Sequence, residues 1–152
     1  MKSGVVLGAL LAIAIVACGG DMPAPQRPDP RDNEITALWA QIRAWRKEAH
    51  MALDPTPYDV MSIGPRPFAE VKHVCPDHHH VPNTCNDVCN LADDICDNAE
   101  RICDLADQLG KTDEYAQEKC RSAKASCRES KQHCCDCSTA ADAGSASFGG
   151  GL

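Results

Sequence analysis

Two stretches decide the fold: Cys89-Asn90-Leu91-Ala92-Asp93-Asp94-Ile95-Cys96-Asp97-Asn98-Ala99-Glu100-Arg101-Ile102-Cys103 and Cys120-Arg121-Ser122-Ala123-Lys124-Ala125-Ser126-Cys127-Arg128-Glu129-Ser130-Lys131-Gln132-His133-Cys134. In each, three cysteines stand seven residues apart. Seven residues is nearly two helical turns, so each trio forms one stripe along a helix. A short connection at Gly110-Lys111 folds the second helix back onto the first, and facing positions in such a pair have residue numbers with a constant sum. Cys89 with Cys134, Cys96 with Cys127 and Cys103 with Cys120 each add to 223, so all three pairs close in a single register.

Residues that took no part in choosing this register support it. Between the cysteines, the positions facing the partner helix are Ala92, Ala99 and Ala106 on one side and Ala116, Ala123 and Ser130 on the other, all small. A disulfide needs Cα atoms about 5.5 to 6 Å apart, and small residues permit that approach. On the flank, Asp93 faces Lys131, Glu100 faces Lys124 and Asp107 faces Gln117. Exposed pairs of this kind are worth about 0.2 to 1 kcal/mol each and select orientation more than they stabilise.

The first of these helices is expected over residues 84–109, opened by a Thr84/Asp87 capping box and closed by Gly110. The second is expected over 113–135, capped by Thr112 with Asp113 and Glu114 in its first turn. Val88, Ile95, Ile102 and Leu109 form a further apolar stripe on the first helix, which the second cannot cover. The matching stripe is Ile35, Leu38, Trp39, Ile42, Trp45 and Ala49 in a helix over 33–53, with Asp32 or Asn33 as its cap and Asp54-Pro55 as its stop. The Trp pair at helical spacing reads as core. The sequence therefore predicts an all-α fold, a disulfide-laddered antiparallel helical hairpin with a third packed helix. Residues 54–83, with six prolines and no sustained period, read as an irregular excursion, and 138–152, rich in Ala, Ser and Gly, as a disordered tail.

Composition agrees. Of 152 residues 11 are Cys, while Trp, Tyr and Phe contribute two each. So much Cys in a short chain belongs to an oxidising compartment, and so few large core residues call for covalent staples. The formal net charge of −7 offers no basic surplus to displace phosphate counterions, which argues against nucleic acid as a partner.

The amino-terminal segment stands apart from the fold. After Lys2, residues Val5 to Val16 are an unbroken apolar run. Twelve residues span only about 18 Å, against a hydrocarbon core of about 30 Å, so the run reads as a signal peptide rather than a span. It ends in Ile15-Val16-Ala17-Cys18, which resembles the lipobox of bacterial lipoproteins. That resemblance implies cleavage after residue 17, a diacylglyceryl group on the Cys18 thiol and a further acyl chain, palmitate-like, on the new amino terminus. Gly19 follows where members of that family retained in the inner membrane carry Asp, so the resemblance implies an outer-membrane lipoprotein, anchored in the cell envelope through its lipid and facing either the periplasm or the surface. Residues 18–32, with Pro23, Pro25, Pro28 and Pro30, form a tether whose last fourteen residues reach up to roughly 40 Å. Lipobox, tether and heptad-spaced cysteines together are similar to cysteine-rich lipoproteins of some Gram-negative bacteria. The hairpin also resembles the twin Cys-x9-Cys proteins of the mitochondrial intermembrane space, but with Cys-x6-Cys spacing and three rungs only the architecture carries over.

With Cys18 assigned to lipid, Cys75, Cys85, Cys135 and Cys137 remain. Their spacing alone does not fix their partners. Cys85 with Cys137 adds to 222 and nearly extends the ladder, which leaves Cys75 for Cys135. The competing chemistry is Cu or Zn binding or storage: thiolates and imidazoles suit these metals, and His73, His78, His79 and His80 could converge with His133 and the nearby cysteines. Against it, a metal store needs neither a constant-sum register nor alanines between its thiols. Cys134-Cys135-Asp136-Cys137 contains C-x-x-C, but the redox reading of that motif needs a βαβ context that is missing here. No G-x-S-x-G, H-E-x-x-H or phosphate-binding glycine loop is present. The expectation is a structural or protein-interaction module without catalysis or cofactor, with an envelope protein as partner.

Overall fold

The computed structural model describes residues 29–76 and 80–146, with side chains to residue 141. The expected signal peptide, Cys18, the expected tether to residue 28, His78, His79 and the residues from 147 onward lie outside the described residues. The chain forms α1 (Pro30–Glu48), α2 (Pro57–Ile63), α3 (Phe68–Lys72), a 3-10 turn at Asn83–Cys85, α4 (Asn86–Leu109) and α5 (Glu114–Ala146), with no strand among the described residues. None of these helices is long and apolar enough to cross a membrane.

α4 and α5 are the laddered hairpin. Cys89–Cys134, Cys96–Cys127 and Cys103–Cys120 join them with Cα–Cα distances of 4.8, 4.6 and 4.6 Å. The small residues between the rungs are sealed in the interface: Ala92, Ala99, Ala106, Ala116, Ala123 and Ser130 are all buried. Larger side chains there would hold the backbones beyond disulfide reach. Gly110 makes the turn at φ 96°, a conformation that a Cβ penalises, and its N–H donates to Ala106 O.

α1 lies across α4, with Ile35 and Ile42 against Ile95, Ile102 and Leu105 in one buried cluster. It starts earlier than the periodicity indicated, because Asp29 rather than Asp32 or Asn33 is the cap. The Asp29 carboxylate accepts from Arg31 N at 2.9 Å, and Pro30 occupies the first helical position, where no N–H is needed. Hydrogen bonds and charge from Arg31 hold the Asp29 carboxyl down to about 2. α1 also ends earlier, at Glu48 rather than Leu53. His50 takes φ 58°, His50 N donates to Lys47 O and Met51 N to Arg46 O. This is a Schellman closure with histidine where glycine is usual.

The stretch 54–83 is more ordered than its composition indicated. α2 begins on Thr56, whose hydroxyl accepts from Asp59 N, followed by Pro57 at the first position. Both α2 and α3 pack on α5, burying Ile63 and Val71. α5 closes their open ends: Lys124 Nζ donates to Gly64 O and Arg66 O at 3.2 and 2.9 Å, and Arg128 reaches Glu70 O. A Cβ on Gly64 would stand 2.6 Å from Val60 O and 2.8 Å from Arg121 Cγ, so only glycine lets this turn come so close to α5.

Three further local expectations are corrected. The Thr84/Asp87 capping box does not form, since the 3-10 turn leads into α4 with no side-chain cap. α5 is capped by Asp113, whose carboxylate accepts from Ala116 N at 2.9 Å, and not by Thr112. α5 also continues past Cys135 to Ala146, so residues 138–146 are helix rather than disordered tail. Its alanines favour helix, and Ala141 packs with Val81 on the buried Cys85, Cys89 and Cys134.

Candidate functional site

The end of the ladder is where the excursion is bolted down. Cys85–Cys137 and Cys75–Cys135 close with Cα–Cα distances of 5.9 and 5.6 Å, so α5 carries five disulfides, four of them along its line with α4 and one to the segment after α3. Every cysteine from Cys75 to Cys137 is thereby oxidised, and none is left as a thiolate. His73 and His80 are exposed. His133 Nδ1 is buried without a hydrogen-bond partner. Among the described residues, no three His, Cys, Asp or Glu side chains are grouped to hold a metal ion.

The flanking charges are shared differently from the simple ladder. Lys131 pairs with Asp93 across the hairpin. Glu100 instead pairs with Lys72 of α3 at 2.6 Å, which releases Lys124 to cap the excursion. Gln117 Nε2 donates to Ala106 O and Gly110 O rather than meeting Asp107.

A groove of about 610 Å³ opens where α2 lies beside α1 and α5. Its apolar side is Trp39 of α1, Val60 and Met61 of α2, and the two prolines that lead into α2. Met61 is 70 % exposed, so this side faces solvent. Its polar side comes from α5. Lys119 Nζ stands 5.6 Å from the Trp39 ring centroid and 5.5 Å from that of Tyr115, a double cation–π contact. It also meets Glu118 at 3.3 Å. Arg43 Nε lies 3.1 Å from the Asp54 carboxylate, an ion pair without hydrogen-bond alignment. Arg121 lines both this groove and the neighbouring cleft that holds Glu100, Asp104 and Asp107.

Behind this groove, Arg46 is 1 % exposed and bridges three segments: Nε donates to Ala52 O and a terminal nitrogen to Glu129, both at 2.7 Å. Its other terminal nitrogen and Glu129 Oε1 are buried without partners. Burial pushes the Glu129 carboxyl above its ordinary value, with Asp59 adding to the shift and Arg46 opposing it. Periodicity sets Arg46 apart from the apolar stripe of α1, together with Arg43, Lys47 and Glu48; the structure instead buries it, four residues after the buried Ile42. Among the described residues the groove places the Trp39 ring beside the side chains of Arg43, Lys119 and Arg121. No protein-family model, characterised protein or solved structure matches the chain.

Proposed function

We propose that the chain is a lipid-anchored protein of the bacterial cell envelope, held in the outer membrane by acyl chains on Cys18, whose folded part is a rigid, non-catalytic protein-interaction module. The observation that carries the module reading is the consumption of all ten cysteines beyond Cys18 in five disulfides. These replace the large core that the composition cannot build. The lipobox and the proline-rich tether support the anchor, since several acyl chains exceed what stable membrane attachment requires.

Two measurements test the reading separately. Thiol titration of the native protein should find almost no free thiol; many free thiols with stoichiometric Cu(I) or Zn would replace the module by a metal store. Fractionation should find the protein with membranes and Cys18→Ser released from them, and unchanged membrane association of the variant would remove the lipid anchor from the account.

A further inference from the structure

We propose that Asp59 of α2 and Glu129 of α5 share one proton and so latch α2 onto the bundle, with a grip that tightens in acid and loosens as the pH rises. The inference is independent of the module and lipid-anchor readings, and its failure would leave both standing.

The two carboxyls line one cavity of about 190 Å³ where α2 packs on α5, together with Ile63, Ala125, Arg128 and Gln132. The oxygens of Glu129 are served unequally: Oε2 accepts from Arg46, while Oε1 is buried with no donor. Asp59 lies within hydrogen-bonding reach of the same carboxyl, yet ionised carboxylates only accept, so two of them cannot bond each other. A proton on one makes the pair a donor and an acceptor, and supplies the donor that the buried oxygen lacks. Asp59 is also wired into the start of α2, since the Thr56 hydroxyl donates to its carboxylate and Asp59 N donates back to Thr56 Oγ1. Nothing covalent pins this helix: it precedes Cys75, the first bridged cysteine, and Ile63 is its one buried residue. Val60 and Met61 form one side of the groove against α1, so loosening α2 dismantles that groove as well.

Charge points the same way. From α1, Arg46 brings one cation, 1 % exposed, against two carboxyls; one proton makes the three groups neutral together. The nearby charged groups on α5 are Arg128, whose guanidinium is turned to Glu70 O at 3.4 Å, and His133, one turn after Glu129 with Nδ1 buried and unpartnered. On the α3 side, Glu70 is paired with Arg66. Two arginines beside the cavity disfavour a metal cation in place of the proton. Burial first, and Asp59 with it, push the Glu129 carboxyl up, while Arg46 pulls it down. A carboxyl so raised stabilises the closed arrangement fully below its pKa in the open form, and that stabilisation is lost as pH rises through the closed-form value.

The test uses the chain from Gly19 onward, which keeps every described residue and all five disulfides. Carboxyl ¹³C signals follow the titration of Glu129. Hydrogen exchange follows the Val60 and Gly64 amides, which donate to Thr56 O and Val60 O, with the amides of α4 as control. Corrected for intrinsic rates, protection of the two α2 amides should fall about tenfold from about pH 4 to about pH 7, the change that one pKa unit of coupling gives. Asp59→Asn puts a permanent N–H where the shared proton stands. Its α2 protection should hold at both pH values and exceed the parent's about tenfold at the higher one, with Glu129 titrating lower than in the parent and α4 responding alike in both proteins. Glu129→Gln should flatten the α2 profile too, at lower overall stability because Arg46 loses its anion. Circular dichroism and a thiol count check that both variants are folded. A parent whose α2 protection does not fall, a fall that either substitution leaves intact, or a Glu129 titration that Asp59→Asn does not lower would overturn the proposal.

Discussion

Replacing Glu129 by Met should cost the fold more than replacing Arg46 by Met, although both changes break the same ion pair. Arg46 is 1 % exposed and its partner 28 %. Without Glu129, a guanidinium that cannot shed its charge stays buried with only Ala52 O to receive it. Stranding a buried charge costs about 3–5 kcal/mol, and this geometry belongs at the upper end. Without Arg46, Ala52 O loses its donor, about 1 kcal/mol. Glu129 then has a cheaper escape, since it is partly solvated and burial, which pushes its carboxyl up, favours its neutral form. A total near 3 kcal/mol follows. Replacing both by Met exchanges a buried pair for apolar groups of similar volume and should return to within about 1 kcal/mol of the parent. The assay is guanidinium unfolding with all disulfides intact, the midpoint shift giving the change when the slope is constant. Equal costs for the two single variants, or a double variant as unstable as their sum, would refute the reasoning.

The pH dependence follows from the same carboxyl. A carboxyl raised in the folded state contributes stability below its unfolded pKa and loses it as pH rises through the folded value. Subtracting the stability profile of Glu129→Gln from the parent should therefore leave a difference that declines as pH rises from the ordinary glutamate range; a flat difference would remove the effect. His50→Gly should raise stability by roughly 1 kcal/mol, because His50 sits at φ 58° on an exposed turn; no upward shift of the midpoint would refute it. Ala123→Leu places a large side chain at a fully buried position between two rungs that each hold the Cα atoms of α4 and α5 4.6 Å apart. It should cost about 1–3 kcal/mol and show free Cys96 or Cys127 thiols by mass spectrometry after alkylation. Removing Cys103–Cys120 by a double Ala substitution opens a loop whose ends are 17 positions apart in sequence and should cost up to about 3 kcal/mol in the chain-entropy treatment, read again by denaturant midpoint.

The hairpin could be read because its constraint is arithmetic. Three equal spacings on each strand and small residues between them leave one antiparallel register, and the structure joins Cys89 to Cys134, Cys96 to Cys127 and Cys103 to Cys120. The docking of α1 was legible for a similar reason, since only its stripe matched Ile95 and Ile102. α2 and α3 were not. With seven and five residues they are too short to show a period, and they owe their form to Thr56 and to Lys124 and Arg128 reaching from α5. The groove was missed with them, as it exists only once α2 lies beside Trp39.

Connectivity also decides how this molecule bears load. From Cys75 to Cys137 the chain is a closed covalent cage, and α1 stands outside it, attached through side-chain packing, the Arg46–Glu129 and Glu34–Arg101 ion pairs, side-chain hydrogen bonds such as Thr36–Tyr115 and Gln41–Asn98, and a single peptide connection. A pull arriving from the amino-terminal side enters at Asp29 and meets α1 first. Tension therefore peels one helix away and exposes Ile35 and Ile42, while the bolted rods behind it keep their shape.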